Sequence, residues 1–583
     1  MAQNIRRREA PLTKIKIDPV TRIEGHLRIE AEVSGGKVTE AWAAGTMFRG
    51  IEKIVEGRDA REAWIWAQRI CGVCTTVHAI ASVRAVEDAI GATPPPNAEL
   101  VRNLIAGSQL VHDHVIHFYH LHALDWVDVV SALKANPAKA SRLAQSISDY
   151  PNSSSTYFQA VLGRLKPLAA SGQLSLFASG YWGHPAYRLT PEENLIAVAH
   201  YLDALEWQRD VIRIHAVLGG KNPHPQTFVV GGMATPLDLN SPQAINAERI
   251  TFLRERIATM RTFVQQVYIP DVLLVAAAYP EWTSIGGGTK NFLTYGGYGS
   301  GPIGDTASYL FPRGIIRDLD LTTVVPLDQA KITEQVARSW YSYGGGDQAA
   351  LHPYNGETDA NYTGPEPPYQ WLYTDRKYSW LKAPRYDGQV MEVGPLARAL
   401  VAYAAGVPAV KQSVDATLKK LGAKPAALYS TLGRVAARAL ESEIVMSRLE
   451  GWLDQLERNL NSGDMRIADT AKWAHSSWPQ SARGFGPHEV PRGSLGHWVE
   501  IQNGLISRYQ AVVPTTWNAS PRDAQGQPGP YEQALVGTPV ADPSQPLELL
   551  RTVHSFDPCL ACAVHVLDAK HAGQRTTVSV EPT

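Results

Sequence analysis

The sequence predicts a mainly α fold with small β-sheets, an α+β class, built as a single intertwined domain. Three observations predict it. Long stretches place apolar residues at helical spacing. The N-terminal segment alternates apolar and polar residues as strands do. The four cysteines of the 583-residue chain form two Cys-x-x-Cys pairs, one near each end, and a shared role requires them to meet in space.

Residues 12–47 alternate in Lys14-Ile15-Lys16-Ile17 and in Leu27-Arg28-Ile29-Glu30, with a turn at Gly35-Gly36, which reads as a small antiparallel sheet. From Arg58 to about Gly91 the pattern becomes helical. Pro94-Pro95-Pro96 interrupts it, and Asn97 is placed to cap a long helix running towards Lys134. Residues 152–155 form a polar loop. Pro191-Glu192-Glu193 opens a further helix towards Leu218, and residues 241–267 are helical again. Residues 280–390 are dense in Gly, Pro, Tyr and Trp and read as a long ordered loop with short strands, a surface or interface and not a separate domain. Helices return from about 393 to 460, and the last hundred residues read as irregular up to the second cysteine pair. No internal repeat or flexible linker divides the chain.

Lys plus Arg is 55 and Asp plus Glu is 56, a net charge of −1. A nucleic acid or an anionic membrane as the main partner would call for a basic surface, so both are excluded as main partners. No apolar run reaches the ~18 residues of a membrane span. Arg6-Arg7-Arg8 is followed by Glu9 and Pro11 and not by an apolar stretch, so no secretory signal peptide is expected. Gly299-Ser300-Gly301-Pro302-Ile303-Gly304 fits a dinucleotide-binding pattern in its letters. It lacks the preceding strand that such a motif needs and carries Pro302 inside the would-be turn, so no nucleotide role is assigned.

The cysteines are Cys71, Cys74, Cys559 and Cys562, with none left over. Two dithiols fit a four-thiolate metal site, two disulfides or two redox motifs. A small structural zinc module joins pairs about 15–20 residues apart, whereas 484 residues separate Cys74 from Cys559. Closing that loop costs about 5–6 kcal/mol, against under about 3 for a 20-residue loop. A shared metal here sits in a scaffold built by the rest of the chain. Soft thiolates suit nickel, iron, copper(I) or zinc, and the residues alone leave that choice open.

The segments Arg69-x-Cys71-Gly72-x-Cys74-x-x-x-His78 and Asp557-Pro558-Cys559-x-x-Cys562-x-x-His565 resemble the two signatures of the large, catalytic subunit of nickel–iron hydrogenases of the respiratory, membrane-bound uptake type. Residues 18–26, Pro491-Arg492-Gly493 and residues 512–518 resemble further motifs of that family, so the resemblance spans essentially the whole chain. It implies reversible oxidation of H2 to protons and electrons, with a hydrogen-sensing regulatory subunit as the alternative and a structural four-thiolate zinc protein as a more distant rival. It implies that all four cysteines bind nickel, that Cys74 and Cys562 also bridge to iron, and that the iron carries carbon monoxide and cyanide. Pro491 and Arg492 resemble the canopy over the metals, with Asp113 and Asp557 holding the guanidinium. Thr515 resembles a cyanide partner, and His78 a hydrogen-bond donor to a bridging sulfur. Glu52, the carbonyl of Ala511 and His565 resemble the ligands of a magnesium-type site. The proton from H2 then goes to the Cys559 thiolate and on to Glu24, or to Arg492. Five histidines, His112, His114, His117, His120 and His122, crowd one expected helix, where Asp113, His117 and His120 share a face; the histidines are expected to pack in the core.

With no cysteine left for an iron–sulfur cluster, the resemblance also implies an iron–sulfur small subunit as partner in a heterodimer or higher oligomer. A membrane cytochrome or quinone-linked acceptor lies beyond it. Residues 1–565 then form the hydrogenase-like domain, and residues 566–583 an extension removed by a maturation endoprotease. The implied location is the periplasmic side of the cell membrane, reached by co-export with the small subunit, with the cytoplasm as the alternative.

Overall fold

The computed structural model describes residues 12–172, 177, 180–299, 305–367, 369–563 and 577–582. Strands β1 (Thr13–Asp18), β2 (Leu27–Ser34) and β3 (Lys37–Gly45) form an antiparallel sheet. Gly35 and Gly36 close the β2–β3 hairpin with φ of 59° and 75°, so both central residues of this two-residue turn are left-handed, as its twist demands. Ile15, Ile17, Leu27 and Ile29 point inward and are fully buried. They share one core with Leu549, Leu550, Val553, Phe556 and Leu560 from the other end of the chain. Each such side chain contributes about 1.5–3 kcal/mol, so the two termini hold each other in place.

The main core is helical. Helices α1 (Val77–Ile90) and α2 (Pro96–Ile116) follow the first cysteine pair. α3 (Pro191–Val211) begins in a Thr190–Glu193 capping box, and α4 (Ala247–Phe263) is capped by Asn246. α5 (Pro395–Ala404), α6 (Pro408–Leu421) and α7 (Thr431–Asn461) complete the core. α2 packs against α7 where Gly107 faces Leu449 and Trp452.

Four expectations need correction. Asn97 does not cap α2. Pro96 already occupies the first turn, where its missing N–H is harmless, and the Asn97 amide instead donates to the carbonyls of Asp464 and Arg466. The helix does not run to Lys134: it widens into a π-turn over His117–His122, which removes the face shared by Asp113, His117 and His120. Residues 280–390 are not merely surface, since the strands Phe292–Thr294 and Ala383–Tyr386 are wholly buried. The last hundred residues are not irregular. They contain β4 (Ser481–Val490), β5 (Gly493–Gln502) and β6 (Leu505–Val512), an antiparallel sheet in that order.

That sheet lies on α1 at close range. A Cβ at Gly484 or Gly486 would stand 2.0 Å from the carbonyl oxygen of Ala85 or Ala81, so only glycine lets strand and helix backbone approach this closely. β4 pairs Val490 with Gly493, which leaves Pro491-Arg492 as a two-residue turn and puts Arg492 at its tip. α8 (Leu547–Ser555) leads into the second cysteine pair. Last, β7 (Thr577–Pro582) adds to the outer edge of β1, antiparallel from Thr13↔Pro582 to Asp18↔Thr577. Among the described residues no helix is long and apolar enough to cross a membrane.

Candidate metal centre

The structure brings the four thiols of the two motifs together. Cys71–Cys74 is a loop ahead of α1, and Cys559–Cys562 follows a turn in which Asp557 takes a left-handed φ of 60°. The sulfurs of Cys71 and Cys559 lie 3.5 Å apart, those of Cys74 and Cys562 3.0 Å, and those of Cys559 and Cys562 2.8 Å. All four are free and buried, and their sulfurs lie within 4.8 Å of one another. Metal–sulfur bonds of about 2.3 Å span such a set. Ile70, Val77, Ala81, Val490, Leu495 and Val513 form a dry collar around them. Arg49 clamps the two loops by donating to the carbonyls of Ile70 and Ala561.

Burial pushes the thiols of Cys559 and Cys562 well up, while Cys71, against its own burial, is held well down by hydrogen bonds from Cys559, Cys562 and Cys74. The protein alone therefore sustains few thiolates here. Four negative sulfurs need cations among them, and their binding releases the protons. The donor set fits soft metal ions.

Arg492 caps a small cavity that Cys74, Cys559 and Cys562 line on one side and Val77, Val490 and Leu495 on the other. Its Nη1 donates to Asp113 Oδ2 at 3.2 Å, and its Nη2 lies 3.1 Å from Asp557 Oδ1. Burial opposes that charge, yet Asp557, Cys559 and Asp113 hold the guanidinium protonated far above its ordinary value. Pro491 stands beside it in the turn, its carbonyl accepting from Arg398 Nη2 at 3.2 Å. Thr515 accepts from the Cys559 N–H at 3.1 Å, which leaves its own hydroxyl proton free to donate into the cavity.

Glu24 reaches the sulfurs from the N-terminal end. Its backbone pairs with Cys559 as a parallel bridge, Leu560 N–H donates to its carbonyl at 2.7 Å, and Gly25 packs so tightly that a Cβ would stand 2.5 Å from Ala561 N. Its Oε2 lies 3.3 Å from Cys559 Sγ and accepts from Ala561 N–H at 2.9 Å. Burial first, and then the Cys71 charge, push its carboxyl up to about 7. The salt bridges that would make Glu24 an ordinary surface acid are taken: Arg22 pairs with Asp125, and Arg28 with Glu30 and Asp18.

His78 also lines the cavity. Its Nδ1 lies 3.1 Å from His497 Nε2; His497 Nδ1 lies 2.6 Å from the Tyr509 hydroxyl, which lies 2.8 Å from Ser82 Oγ. Burial pushes His78 down to about 4 and holds His497 well below its ordinary value, so both rings are neutral and this chain sets their tautomers.

Glu52 Oε1 accepts from Ala511 N–H at 2.9 Å and its Oε2 from Thr358. Nearby, Lys382 donates to Gln510 at 2.8 Å and lies 3.6 Å from Glu334, whose buried Oε2 has no hydrogen-bond partner and whose carboxyl is pushed up to about 7 by burial. Glu52, Glu334 and Gln510 supply oxygen donors of the kind a hard cation takes, and Lys382 balances the charge of Glu334. Glu52 and Ala511 are thus neighbours, while His565 lies outside the described residues.

The histidine row goes elsewhere. His114 faces Glu441 at 3.5 Å, His117 Nε2 lies 2.6 Å from the carbonyl of His554, and His120 Nε2 lies 3.2 Å from that of Tyr201. His122 joins Asp125 and His554 in a second buried cluster of potential ligands. The Arg22 guanidinium occupies the Asp125 carboxylate, so a divalent ion there would meet a fixed positive charge. Sequence reasoning missed this cluster along with Arg49, His497 and Tyr509, because no local spacing marks partners hundreds of residues apart. The Lys221–Pro225 turn, with a cis Asn222–Pro223 bond, leans on the first cysteine loop through His224 N–H to Thr75. Residues 300–304 of the dinucleotide-like string lie outside the described residues.

A family model described as nickel-dependent hydrogenase matches residues 49–565, and one described as HoxL-like matches residues 14–42. The uptake hydrogenase large subunit of Rhizobium leguminosarum bv. viciae is 48% identical over 569 residues, covering 95% of each chain. The hydrogenase-1 large chain of Escherichia coli (strain K12) is 47% identical over 570 residues, again with 95% of each chain covered. Among solved structures, the Ni-Fe-Se hydrogenase from D. vulgaris Hildenborough in the as-isolated oxidized state superposes with a TM-score of 0.75 at 34% identity, covering 95% of this chain and 100% of that one.

Proposed function

The chain belongs to the nickel-dependent hydrogenase family, and on that premise we propose how its residues carry the reaction. It is the catalytic, large subunit of a nickel–iron hydrogenase and acts on H2 as electron donor. The sensing alternative is not favoured beside relatives named as uptake hydrogenases. The observation that carries the reading is the meeting of four buried free thiols from opposite ends of the chain with one titratable carboxylate beside them.

All four cysteines would hold nickel, and Cys74 and Cys562 would also hold iron; the metal pair would supply the binding site for H2 and the acceptor for its electron pair. The chain's own residues handle the proton. The Cys559 sulfur receives it, and Glu24 Oε2, 3.3 Å away, takes it onward. Arg492, pinned between Asp113 and Asp557, keeps a fixed positive charge over the cavity and excludes water from it. Its charge is held too firmly to make it the better base. The free Thr515 hydroxyl proton suits a cyanide nitrogen on iron, and His78 presents its ring to a bridging sulfur. Glu52 and the Ala511 carbonyl, with His565, would hold a magnesium-type ion, and Glu334, Lys382 and Gln510 form the polar cluster beside Glu52. Metal analysis of the purified enzyme should find nickel and iron in equal amounts and about one magnesium. Infrared spectra should show carbon monoxide and cyanide bands; their absence from an active enzyme refutes this ligand set.

The electrons leave through a small-subunit partner, here an iron–sulfur protein, since the chain's only four cysteines are taken by the centre. Val73, within the first cysteine loop and 42% exposed, is an apolar contact offered to it. Export together with that partner brings the enzyme to the periplasmic side of the membrane, where a cytochrome or quinone-linked acceptor follows.

The last step of maturation is removal of residues 566–583 by an endoprotease. The pairing of β7 with β1 supports this order: Thr577–Pro582 adds to the outer edge of the N-terminal sheet, where it can leave without breaking the β1–β2 pairing. Its removal leaves β1 an edge strand carrying Lys14 and Lys16, which suits a solvent edge that must not aggregate. The intact mass of the active subunit should therefore end at His565; an active enzyme ending at Thr583 refutes the cleavage.

A further inference from the structure

The buried His122–Asp125–His554 cluster lies outside the machinery described above, and its contacts converge on the loop that carries Glu24. His554, in the last turn of α8, lies three residues before Asp557 and five before Cys559. Its Nε2 meets the carbonyl of Thr21 at 2.9 Å, and its Nδ1 meets Asp125 Oδ2 at 2.6 Å. Both ring nitrogens face acceptors, so the ring is held between the Thr21 carbonyl and the Asp125 carboxylate. Arg22 binds the other Asp125 oxygen and donates to the Leu121 carbonyl at 2.8 Å, while holding a left-handed φ of 55° that an arginine rarely adopts. Arg551, also on α8, donates from Nε to the Asp125 carbonyl at 2.7 Å. His122 Nδ1 closes the group at 3.2 Å from Asp125 Oδ2.

The three chain segments in this cluster are the loop just before Glu24, the helix end just before Cys559, and the turn after α2. We infer that Asp125 and His554 are positioning residues that, with Arg22, lock the Glu24 loop against the Cys559 loop and so set the gap across which the proton passes. This rests on the proposed role of Glu24. The lock is a buried hydrogen-bond cluster: one carboxylate with the Arg22 guanidinium on one oxygen and the His554 ring on the other, each partner also tied to a backbone carbonyl of another segment. Apolar packing alone would leave the loops free to slide by the few tenths of an ångström that a proton transfer over 3.3 Å cannot tolerate. Neither residue touches the sulfurs, so their loss should leave the metals in place and slow only the proton step.

The test uses the metal-loaded heterodimer. Asp125→Asn keeps the volume but offers only one acceptor oxygen where Arg22 and His554 each hold one. We expect unchanged nickel and iron, hydrogen oxidation down by about tenfold, and a solvent deuterium isotope effect larger than that of the wild type. A packing role alone would not raise the isotope effect. His554→Gln, which keeps one donor, should be faster than His554→Leu, which keeps none. This pair decides the matter if Asp125→Asn fails to load metals. Wild-type rate and isotope effect in loaded Asp125→Asn, or equal rates and isotope effects in the two His554 variants, overturn the lock. Glu24→Gln separates the two readings. If it turns over hydrogen at the wild-type rate, the relay fails and the lock with it; if it is slow while the Asp125 and His554 variants are not, only the lock fails.

Discussion

Cys74→Ser and Cys562→Ser are each expected to lose both nickel and iron and all measurable hydrogen oxidation, because each of these sulfurs serves both metals. The two lie 3.0 Å apart and line the cavity that Arg492 also lines. A serine hydroxyl keeps its proton at any working pH and is a hard donor, so it replaces neither the charge nor the softness of a bridging thiolate. It also leaves a buried hydroxyl without a partner, which costs about 1–3 kcal/mol, too little to unfold a chain with so large a core. Cys71→Ser, at the nickel-only position, should lose nickel but retain iron. The measurement is metal content per folded chain, with folding checked by thermal unfolding. Equal retention of iron in Cys74→Ser and Cys71→Ser overturns the assignment of bridging and terminal sulfurs, and normal nickel, iron and activity in Cys74→Ser overturns the shared site altogether.

The legibility of this site in the sequence was uneven for physical reasons. Cys-x-x-Cys is a local pattern, and thiols spaced this way announce themselves. Glu24 and Arg492 lack such a spacing pattern and are marked only by the longer motifs, residues 18–26 and Pro491-Arg492-Gly493; the fold adds that Arg22 and Arg28 are committed to other acids. β4 and β5 stayed hidden because β5 and the second half of β4 are buried on both faces and each strand carries two glycines, so alternation is lost there. One signal did stand in plain view. Asn503-Gly504, with φ of 52° and 82°, is a two-residue hairpin turn of the strongest kind, and it joins β5 to β6 in the structure. The misplaced cap at Asn97 has the opposite lesson: a good capping residue is irrelevant where a proline has already started the helix and the amide has better partners across the core. The lock around Asp125 was beyond reach, since Arg22, Asp125 and His554 become neighbours only through the shared packing of both chain ends.

Glu24→Gln is expected to keep full nickel and iron and an unchanged cavity while lowering hydrogen oxidation by at least about 100-fold, the low end for a lost acid–base group. Glutamine preserves the size of the side chain, and its amide oxygen can still accept from Ala561 N–H, now at 2.9 Å from Oε2. What it cannot do is take a proton from Cys559 and pass it on. The pH dependence follows from the same carboxyl. Burial and the Cys71 charge raise it from its ordinary value to about 7, so the protonated form dominates below that pH and the accepting carboxylate above it. Oxidation by the wild type should therefore climb as pH rises through about 7, while Glu24→Gln should show a low rate without that climb. A near-wild-type rate in metal-replete Glu24→Gln removes Glu24 from the path and makes the Arg492 guanidine the better candidate, despite the charge that Asp557 and Asp113 impose on it. Proton hand-off at Glu24 has the geometric advantage that decides between them: 3.3 Å to the sulfur, on a loop stitched to the Cys559 loop by backbone hydrogen bonds on both sides.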